Sequence, residues 1–311
     1  SEHGIVLLED RVLTCDVTSK KVITSAGLSL QYSELLICTG SRPRDFAVKG
    51  FEEHALMFHA LEDVHQLRKK IAQLKRLDDA NNSLVIVGAG PTGVELACKL
   101  ADLLESSAQL HLIELEERIL PRAKAFNQEQ AEMALQKRGI KIHLLTRVTA
   151  ITKDKVELRV DRNEDSLLPE LFHKGVIWTA CPQPVMPNFV PELTFGSSRL
   201  PVNSSLQVIG FSDVLALGDV AYNDEGSWPA SAQAAFQQGE AAAQTVMAIR
   251  AGNVPEPFQF KDLGEMLGLG IGEATITALG ITLAGPLAYQ MRRMTYLTRL
   301  PGVSLGLRSA G

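Results

Sequence analysis

Residues 83–104 read SLVIVGAGPTGVELACKLADLL. An apolar run at 84–87 stops at a glycine-rich turn, and residues 91–105 then carry a helical pattern. The turn spells G-x-G-x-x-G with Gly88, Gly90 and Gly93. In that motif the first glycine permits a tight turn, the second lets a pyrophosphate approach the backbone, and the third lets helix and strand pack closely. The helix start offers unpaired N–H groups and a positive dipole end to the phosphates. Glu114 ends the next apolar run, LHLIEL, 21 residues past Gly93. A carboxylate there accepts hydrogen bonds from both adenosine ribose hydroxyls and repels a 2′-phosphate, which favours NAD over NADP. Arg118, four residues on, pulls the other way. A strand–helix turn without a ligand is the plain alternative, and the surrounding β-α-β pattern argues against it. Glu95, on the first turn of the same helix, can be read simply as a carboxylate complementing the dipole.

The chain has 311 residues, enough for two domains, with 45% hydrophobic and 22% charged residues. A net charge of −5 argues against nucleic acid as a partner. Cys15, Cys38, Cys98 and Cys181 are scattered singly, so no zinc knuckle or dithiol centre is indicated, and a reducing compartment fits. The opening SEHGIVLLEDRV lacks the basic leader and apolar core of a signal peptide.

Working outward from the glycine turn, residues 4–40 read as short strands, and LLIC (35–38) as a parallel strand buried on both faces. Apolar positions 61, 64, 67, 71 and 74 predict a surface helix bridging two domains. Residues 84–180 read as a complete unit of the βαβ type. A helix after 125 ends at Gly139, a strand pair covers 141–160, and KGVIWTAC closes the unit. Residues 182–201, with five prolines, read as connection. Two strands within 206–221 and a helix over about 229–250 follow.

LALGDVA (215–221) is a strand running into Gly-Asp, and SELLICTGSRP (33–43) a strand running into Thr-Gly. Flanking the glycine motif in this order, the two resemble the paired flavin motifs of the two-dinucleotide-binding flavoprotein superfamily, in which an NAD domain is inserted into an FAD domain. The resemblance implies FAD at Thr39, Gly40, Gly218 and Asp219, and at Ala180 in the loop WTACPQP (178–184), where Cys181 replaces a usual glycine. No G-x-G-x-x-G precedes residue 88, so the chain reads as a member lacking its first βαβ unit.

SAQAAFQQGEAAA (231–243) resembles the A-Q-x-A-x-Q segment of the type II NAD(P)H:quinone oxidoreductases, and 260–302 is similar to the tail of their cyanobacterial and plastid branch. On the residues alone, Gln233, Gln237 and Glu240 form the polar face of an Ala-rich packing helix. The resemblance implies instead that Gln233 and Gln237 line a quinone pocket and that Glu95 acts in binding or proton handling near flavin and nicotinamide.

Residues 274–291 carry no charge, which by length alone makes them a spanning candidate. Gly280, Gly285 and Pro286 favour strand, turn, strand, followed by an amphipathic helix. That helix has Leu287, Met291, Met294 and Leu297 or Thr298 on one side and Arg292, Arg293 and Arg299 elsewhere. It suits the headgroup layer of a membrane or, equally, a core or homodimer contact; the quinone resemblance favours the membrane.

The expected fold class is α/β, a two-dinucleotide-binding-domain flavoprotein: a Rossmann-like NAD domain inserted in an incomplete FAD domain, plus a C-terminal membrane-associating region. The expected divisions are 1–50 (rear of the FAD domain), 51–82 (linker helix), 83–181 (NAD(P)H domain), 182–250 (second part of the FAD domain) and 251–311 (membrane-associating region). The implied activity is hydride transfer from NAD(P)H to FAD and two-electron reduction of a membrane quinone, plastoquinone-like or demethylphylloquinone-like, without proton pumping. The setting implied is peripheral, at the cytoplasmic face of a thylakoid or plasma membrane. Rival readings are a ferredoxin or rubredoxin reductase of the same superfamily, and a non-catalytic NAD-binding module.

Overall fold

The computed structural model describes residues 4–44, 47–77, 82–160, 170–180, 182–192, 197–225 and 228–298. Cys181 and Arg299 lie outside the described residues. The chain builds two compact units. One joins Ser1–Arg42 to Pro182–Asp262, the other Pro43–Cys181 to Leu263–Gly311.

The second unit is organised by a five-stranded parallel sheet in the order Ala55–Met57, Val176–Trp178, Ser83–Val87, Gln109–Ile113, Lys141–His143. All five residues of Ser83–Val87 are buried, as a central parallel strand requires. Alternate side chains serve opposite faces. Leu84 and Ile86 join a core formed with the helices Leu61–Leu74, Pro91–Leu104 and Ala125–Lys137. Val85 and Val87 join a core formed with the antiparallel pair Thr146–Ile151 and Lys155–Val160, where Phe51 meets Trp178 edge to face at 5.1 Å. The helix predicted around 61–74 is present, but Leu67 and Leu74 sink into the first core, so it is a layer of this unit and not a bridge.

The tail also divides differently from the expected boundary at 251. From Leu263 onward it belongs to the dinucleotide unit, as a three-stranded antiparallel meander, Glu265–Gly268, Ala274–Ala278 and Ile281–Gly285, followed by the helix Pro286–Thr298. Strand, turn, strand is therefore what 274–285 forms. Its turn places Leu279 at φ 52° and Gly280 at φ 77°, the left-handed pair of a tight hairpin.

Two polar clusters and two leucines hold the meander. Asn127, fully buried, accepts from the hydroxyls of Thr275 (2.8 Å) and Thr277 (2.9 Å) and donates to Glu265 Oε2 (2.6 Å). Arg138 pairs with Asp102 (2.7 Å) and Glu273 (3.0 Å), Lys137 with Glu273 (2.8 Å), and Ile271 N–H donates to Asp102 (2.6 Å). Burial by itself raises the Asp102 carboxyl, but Arg138 and the Ile271 N–H bring it below the usual range; Lys137 and Arg138 do the same for Glu273. Leu267 and Leu269 enter the helical core. The tail is thus an integral layer.

The first unit is mostly β. Asn188–Val190 runs parallel to Val12–Asp16, which pairs antiparallel with Lys21–Thr24 and that in turn with Ser29–Gln31. The predicted first strand starts only at Val12; Ile5 to Leu8 are exposed and outside any strand. Leu35–Ile37 pairs in parallel with Val214–Ala216. Ile37 is buried but Leu36 is 41% exposed, so only one face of this strand is covered, not both as expected. The helix Ala232–Arg250 begins at Ser231, whose hydroxyl accepts from Ala234 N–H (3.2 Å), a standard N-cap.

Replacing Asn127 by Ala removes the acceptor of the buried Thr275 hydroxyl and of the half-buried Thr277 hydroxyl, and one of two donors to Glu265 Oε2, which keeps Lys124 N–H (3.0 Å). The expected loss is about 2 kcal/mol of unfolding free energy, read by urea denaturation. An unchanged midpoint would show that the network contributes nothing to tail docking.

Candidate active site

The glycine turn shows which of its glycines the protein itself requires. Gly88 has φ 101°, and a Cβ there would lie 2.9 Å from the backbone N and Cα of Ala180. A Cβ on Gly93 would lie 1.8 Å from Gly88 O and 2.9 Å from Thr179 Oγ1. Gly90 differs. Its φ of −71° suits any residue, and a Cβ there would meet nothing within 4 Å. Packing explains the first and third glycines but not the second. A phosphate drawn close to the backbone is what the G-x-G-x-x-G motif asks of the second. Gly90 is the N-cap and Pro91 the first residue of the helix, where a missing N–H costs nothing and the remaining N–H groups face outward.

Glu114 stands beside this turn. Its Oε2 accepts from Ala89 N–H (2.6 Å), and its Oε1 from Leu115 N–H (2.7 Å) and Glu116 N–H (3.1 Å). A carboxylate has about four acceptor positions, so one remains towards a ribose. Serving both ribose hydroxyls then requires exchange of one backbone bond. Thr179, which the sequence did not single out, ties the neighbouring strand to the turn: its hydroxyl donates to Val87 O (2.9 Å) and Gly88 O (3.1 Å). Ala180, expected at the flavin, packs on Gly88. The first turn of Pro91–Leu104 carries no acid, so Glu95 lies past the turn where the sequence placed it against the dipole; it accepts instead from Gly268 N–H (2.7 Å) and from Arg292 Nη2 (3.0 and 3.2 Å) and so serves the tail.

In the other unit the Thr-Gly and Gly-Asp turns come together at the carboxyl ends of two adjacent parallel strands, the place where open α/β sheets bind ligands. Gly40 and Gly218 both have positive φ, 65° and 72°. The Thr39 hydroxyl donates to Val185 O, Val185 N–H to Gly40 O (3.0 Å), and the Ser41 hydroxyl to Asp219 Oδ2 (2.6 Å).

Gln237 is placed otherwise than expected. Both ends of its amide are engaged with the backbone of Lys261, donating to O (2.9 Å) and accepting from N–H (3.0 Å), as one strand pairs with another. It is its neighbour Gln238, 3% exposed, that reaches the Gly-Asp turn, accepting from Gly218 N–H at 2.7 Å. Gln233 is half-buried on the first turn of the same helix.

Residues 2–239 match the family described as pyridine nucleotide-disulphide oxidoreductase. The chain belongs to this family. Within it, the oxidoreductase is 34% identical to the demethylphylloquinone reductase NdbB of Synechocystis sp., over 97% of this chain and 76% of that protein. It is 29% identical to the alternative NAD(P)H-ubiquinone oxidoreductase C1, chloroplastic/mitochondrial, of Arabidopsis thaliana, over 96% of this chain and 64% of that protein. Its fold matches a structure of NDH2 from Plasmodium falciparum in complex with NADH, with a TM-score of 0.84 at 16% identity, covering 96% of this chain and 81% of that one. The expected membership of the type II NAD(P)H:quinone oxidoreductases is borne out, and with it FAD and NAD(P)H as the cofactors of this oxidoreductase. Its turns fit both groups: the glycine turn has the cradle that a pyrophosphate uses, and the paired strand ends bring together backbone groups and a carboxylate. Despite the family's title, Cys15, Cys38 and Cys98 are free. Burial pushes the Cys15 thiol up to about 11 and the Cys98 thiol up to about 12, which holds both as inert thiols.

Substituting Gln238 by Ala leaves the Gly218 N–H without its buried acceptor. Flavin affinity of the reconstituted protein is expected to fall about tenfold, the scale of one lost hydrogen bond. Quenching of flavin fluorescence during titration measures it, and an unchanged affinity would remove Gln238 from the site.

Proposed function

We propose that this oxidoreductase takes reducing equivalents from NADH in preference to NADPH and delivers them to a membrane quinone of the plastoquinone or demethylphylloquinone type, without pumping protons. Relatives named as quinone reductases support the substrate class. The observation that carries the placement is the 2.7 Å bond from Gly218 N–H to Gln238, which pins the helix bearing Gln233 to the Gly-Asp turn. FAD, when bound, supplies the two-electron chemistry that links a nicotinamide to a quinone. Thr39, Gly40, Gly218 and Asp219 would hold it. Gly88, Gly90 and Gly93 would seat the nicotinamide cofactor's pyrophosphate. Glu114 would bind its adenosine ribose and repel a 2′-phosphate. Gln233 would orient a quinone carbonyl through its amide. Gln237 would border the pocket as a clamp that fixes residue 261, reaching a quinone only by giving up that pairing.

No described helix is long and apolar enough to cross a membrane. The tail nevertheless presents apolar side chains outward: Leu287, Met291 and Met294 along one stripe of the last helix, and Leu279 and Ile281 at the hairpin tip, Leu279 being 88% exposed. Contiguous exposed apolar surface marks an interaction site. The proposal is that this surface lies in the headgroup layer at the cytoplasmic face, giving a lipid-soluble quinone direct access.

Two variants separate these assignments. Gln233→Ala is expected to lower kcat/KM for menadione with NADH as donor about tenfold while KM for NADH stays put. Unaltered kinetics would sink Gln233 as a quinone ligand. Leu279→Asn removes an apolar tip and places a residue tolerant of positive φ. It is expected to weaken co-sedimentation with anionic liposomes and to raise stability by up to about 1 kcal/mol. Undiminished liposome binding, or a change in oligomeric state on gel filtration, would assign the tip to another contact, such as a homodimer.

A further inference from the structure

We propose that a lysine-lined cavity, at the end of the parallel sheet opposite the glycine cradle, binds a small phosphorylated anion of two or more negative charges, such as a nucleoside polyphosphate.

The cavity, about 610 Å³, lies where three segments of the dinucleotide unit meet. That volume is in the range of small-ligand sites and exceeds what a lone phosphate fills. One wall is the helix Leu61–Leu74. Gln66, Lys69, Lys70 and Gln73 follow the i, i+3, i+4, i+7 spacing of one helix stripe, while Leu67 and Leu74 turn to the core. The turn between Thr146–Ile151 and Lys155–Val160 contributes Lys153, and the chain entering Val176–Trp178 contributes Lys174. Among the described lining residues, four lysines thus face one carboxylate, Glu53, in a chain whose net charge is −5.

The walls are held by hydrogen bonds. His173, 3% exposed, donates its N–H to Asp154 O (2.9 Å) and its Nε2–H to Thr152 O (3.2 Å), while Thr152 N–H closes the turn on Lys155 O (2.8 Å). Lys174 N–H donates to Ser83 O (2.9 Å). The turn bearing Lys153 is therefore tied to the strand entry bearing Lys174. From the helix side, the Lys70 stem lies over Gly175: a Cβ there would stand 2.8 Å from Lys70 Cε and 3.0 Å from Leu84 Cδ1.

The plain alternative is a set of solvated surface lysines. Such lysines swing apart to weaken their repulsion. Lys70 is instead half-buried, and burial together with the Lys174 ammonium holds its amine below the usual lysine range. Among the described residues no carboxylate forms an ion pair with Lys69, Lys70 or Lys153. A concave surface of one sign focuses its potential on an incoming counter-charge. Ammonium groups act as point charges and suit a phosphate chain, whereas planar carboxylates favour the arginine fork, and no arginine is among the described lining residues. Gln66 and Gln73 add amide donors and acceptors for the rest of a ligand. The buried strand Ser83–Val87 separates this end of the sheet from the cradle by roughly 16 Å, so the two sites are distinct.

The test uses the full-length, flavin-loaded protein saturated with NAD⁺, so that the cradle is filled. Isothermal titration calorimetry is run with ATP, pyrophosphate and citrate. ATP and pyrophosphate are expected to bind, and citrate more weakly than either. Lys70→Gln/Lys153→Gln is expected to weaken ATP binding about tenfold, the scale of one charge-assisted hydrogen bond, with KM for NADH unchanged. Lys153→Gln alone, on an exposed turn, spares the fold and is expected to weaken ATP about threefold. Lys75→Gln, on the same helix but outside the cavity, controls for net charge and is expected to bind ATP as the parent does. No heat from ATP or pyrophosphate overturns the proposal. So does ATP binding undiminished in both lysine variants, or an equal loss in Lys75→Gln. Citrate binding as tight as pyrophosphate overturns the phosphate assignment. Binding to phosphatidylglycerol liposomes that falls in Lys153→Gln, without heat from ATP, assigns the lysines to a lipid headgroup and also overturns it.

Discussion

At Gly93 the cradle helix comes so near the preceding turn that a methyl group would stand 1.8 Å from the Gly88 carbonyl oxygen. That approach governs the dinucleotide unit. It seats the helix directly on the buried strand Ser83–Val87 and brings Leu96, Leu100 and Leu104 into the same core as Leu84 and Ile86. It also forces the chain to leave the strand through a positive-φ glycine, turning the helix start outward at the carboxyl end of the sheet. Glu114 then meets Ala89 because its strand is the immediate parallel neighbour, in register from Ser83↔Gln109 to Val87↔Ile113. The geometry of the turn follows from packing at Gly88 and Gly93, and only Gly90 is free of it.

The flavin-type turns obey a related rule with different parts. Two short parallel strands bring Thr39-Gly40 and Gly218-Asp219 side by side, and buried polar groups fasten them. Gly218 shows this in its main chain. Its N–H is taken by a glutamine 20 residues on, so the helix behind the turn and the turn itself are one polar assembly. A buried N–H must find a partner, and here the partner fixes a helix that carries further polar side chains.

Local chemistry was legible in the sequence, and long-range partnership was not. The glycine motif, the parallel strand at 35–37 and the Leu279-Gly280 hairpin are written in a few neighbouring residues each, because turn geometry and strand period are local constraints. Helical spacing grouped Gln233 and Gln237 on one face, yet it cannot say which glutamine finds a distant backbone group. Gln238 reaches Gly218 while Gln237 turns to Lys261. The same limit hid the tail's attachment. Nothing in GIGEATITALGI announces that Thr275 bonds to Asn127, 148 residues earlier, so composition alone set the tail apart as a separate region. Likewise Thr179 and Arg292 matter through what they touch, and an isolated Thr or Arg carries no signal of that.

The chain crosses between its two units three times, after Arg42, after Cys181 and after Asp262. Neither unit is therefore a continuous stretch. During synthesis the strand Val12–Asp16 emerges early but receives its parallel partner, Asn188–Val190, only after the whole parallel sheet of the other unit has been made. That sheet in turn lacks the meander covering its helices until the tail appears. Each unit thus waits on its own later segment, and carries uncovered apolar surface until that segment arrives. Such order makes nascent chains dependent on holding factors and prone to pair wrongly if stalled. It also means that no single cut in the chain releases either unit whole.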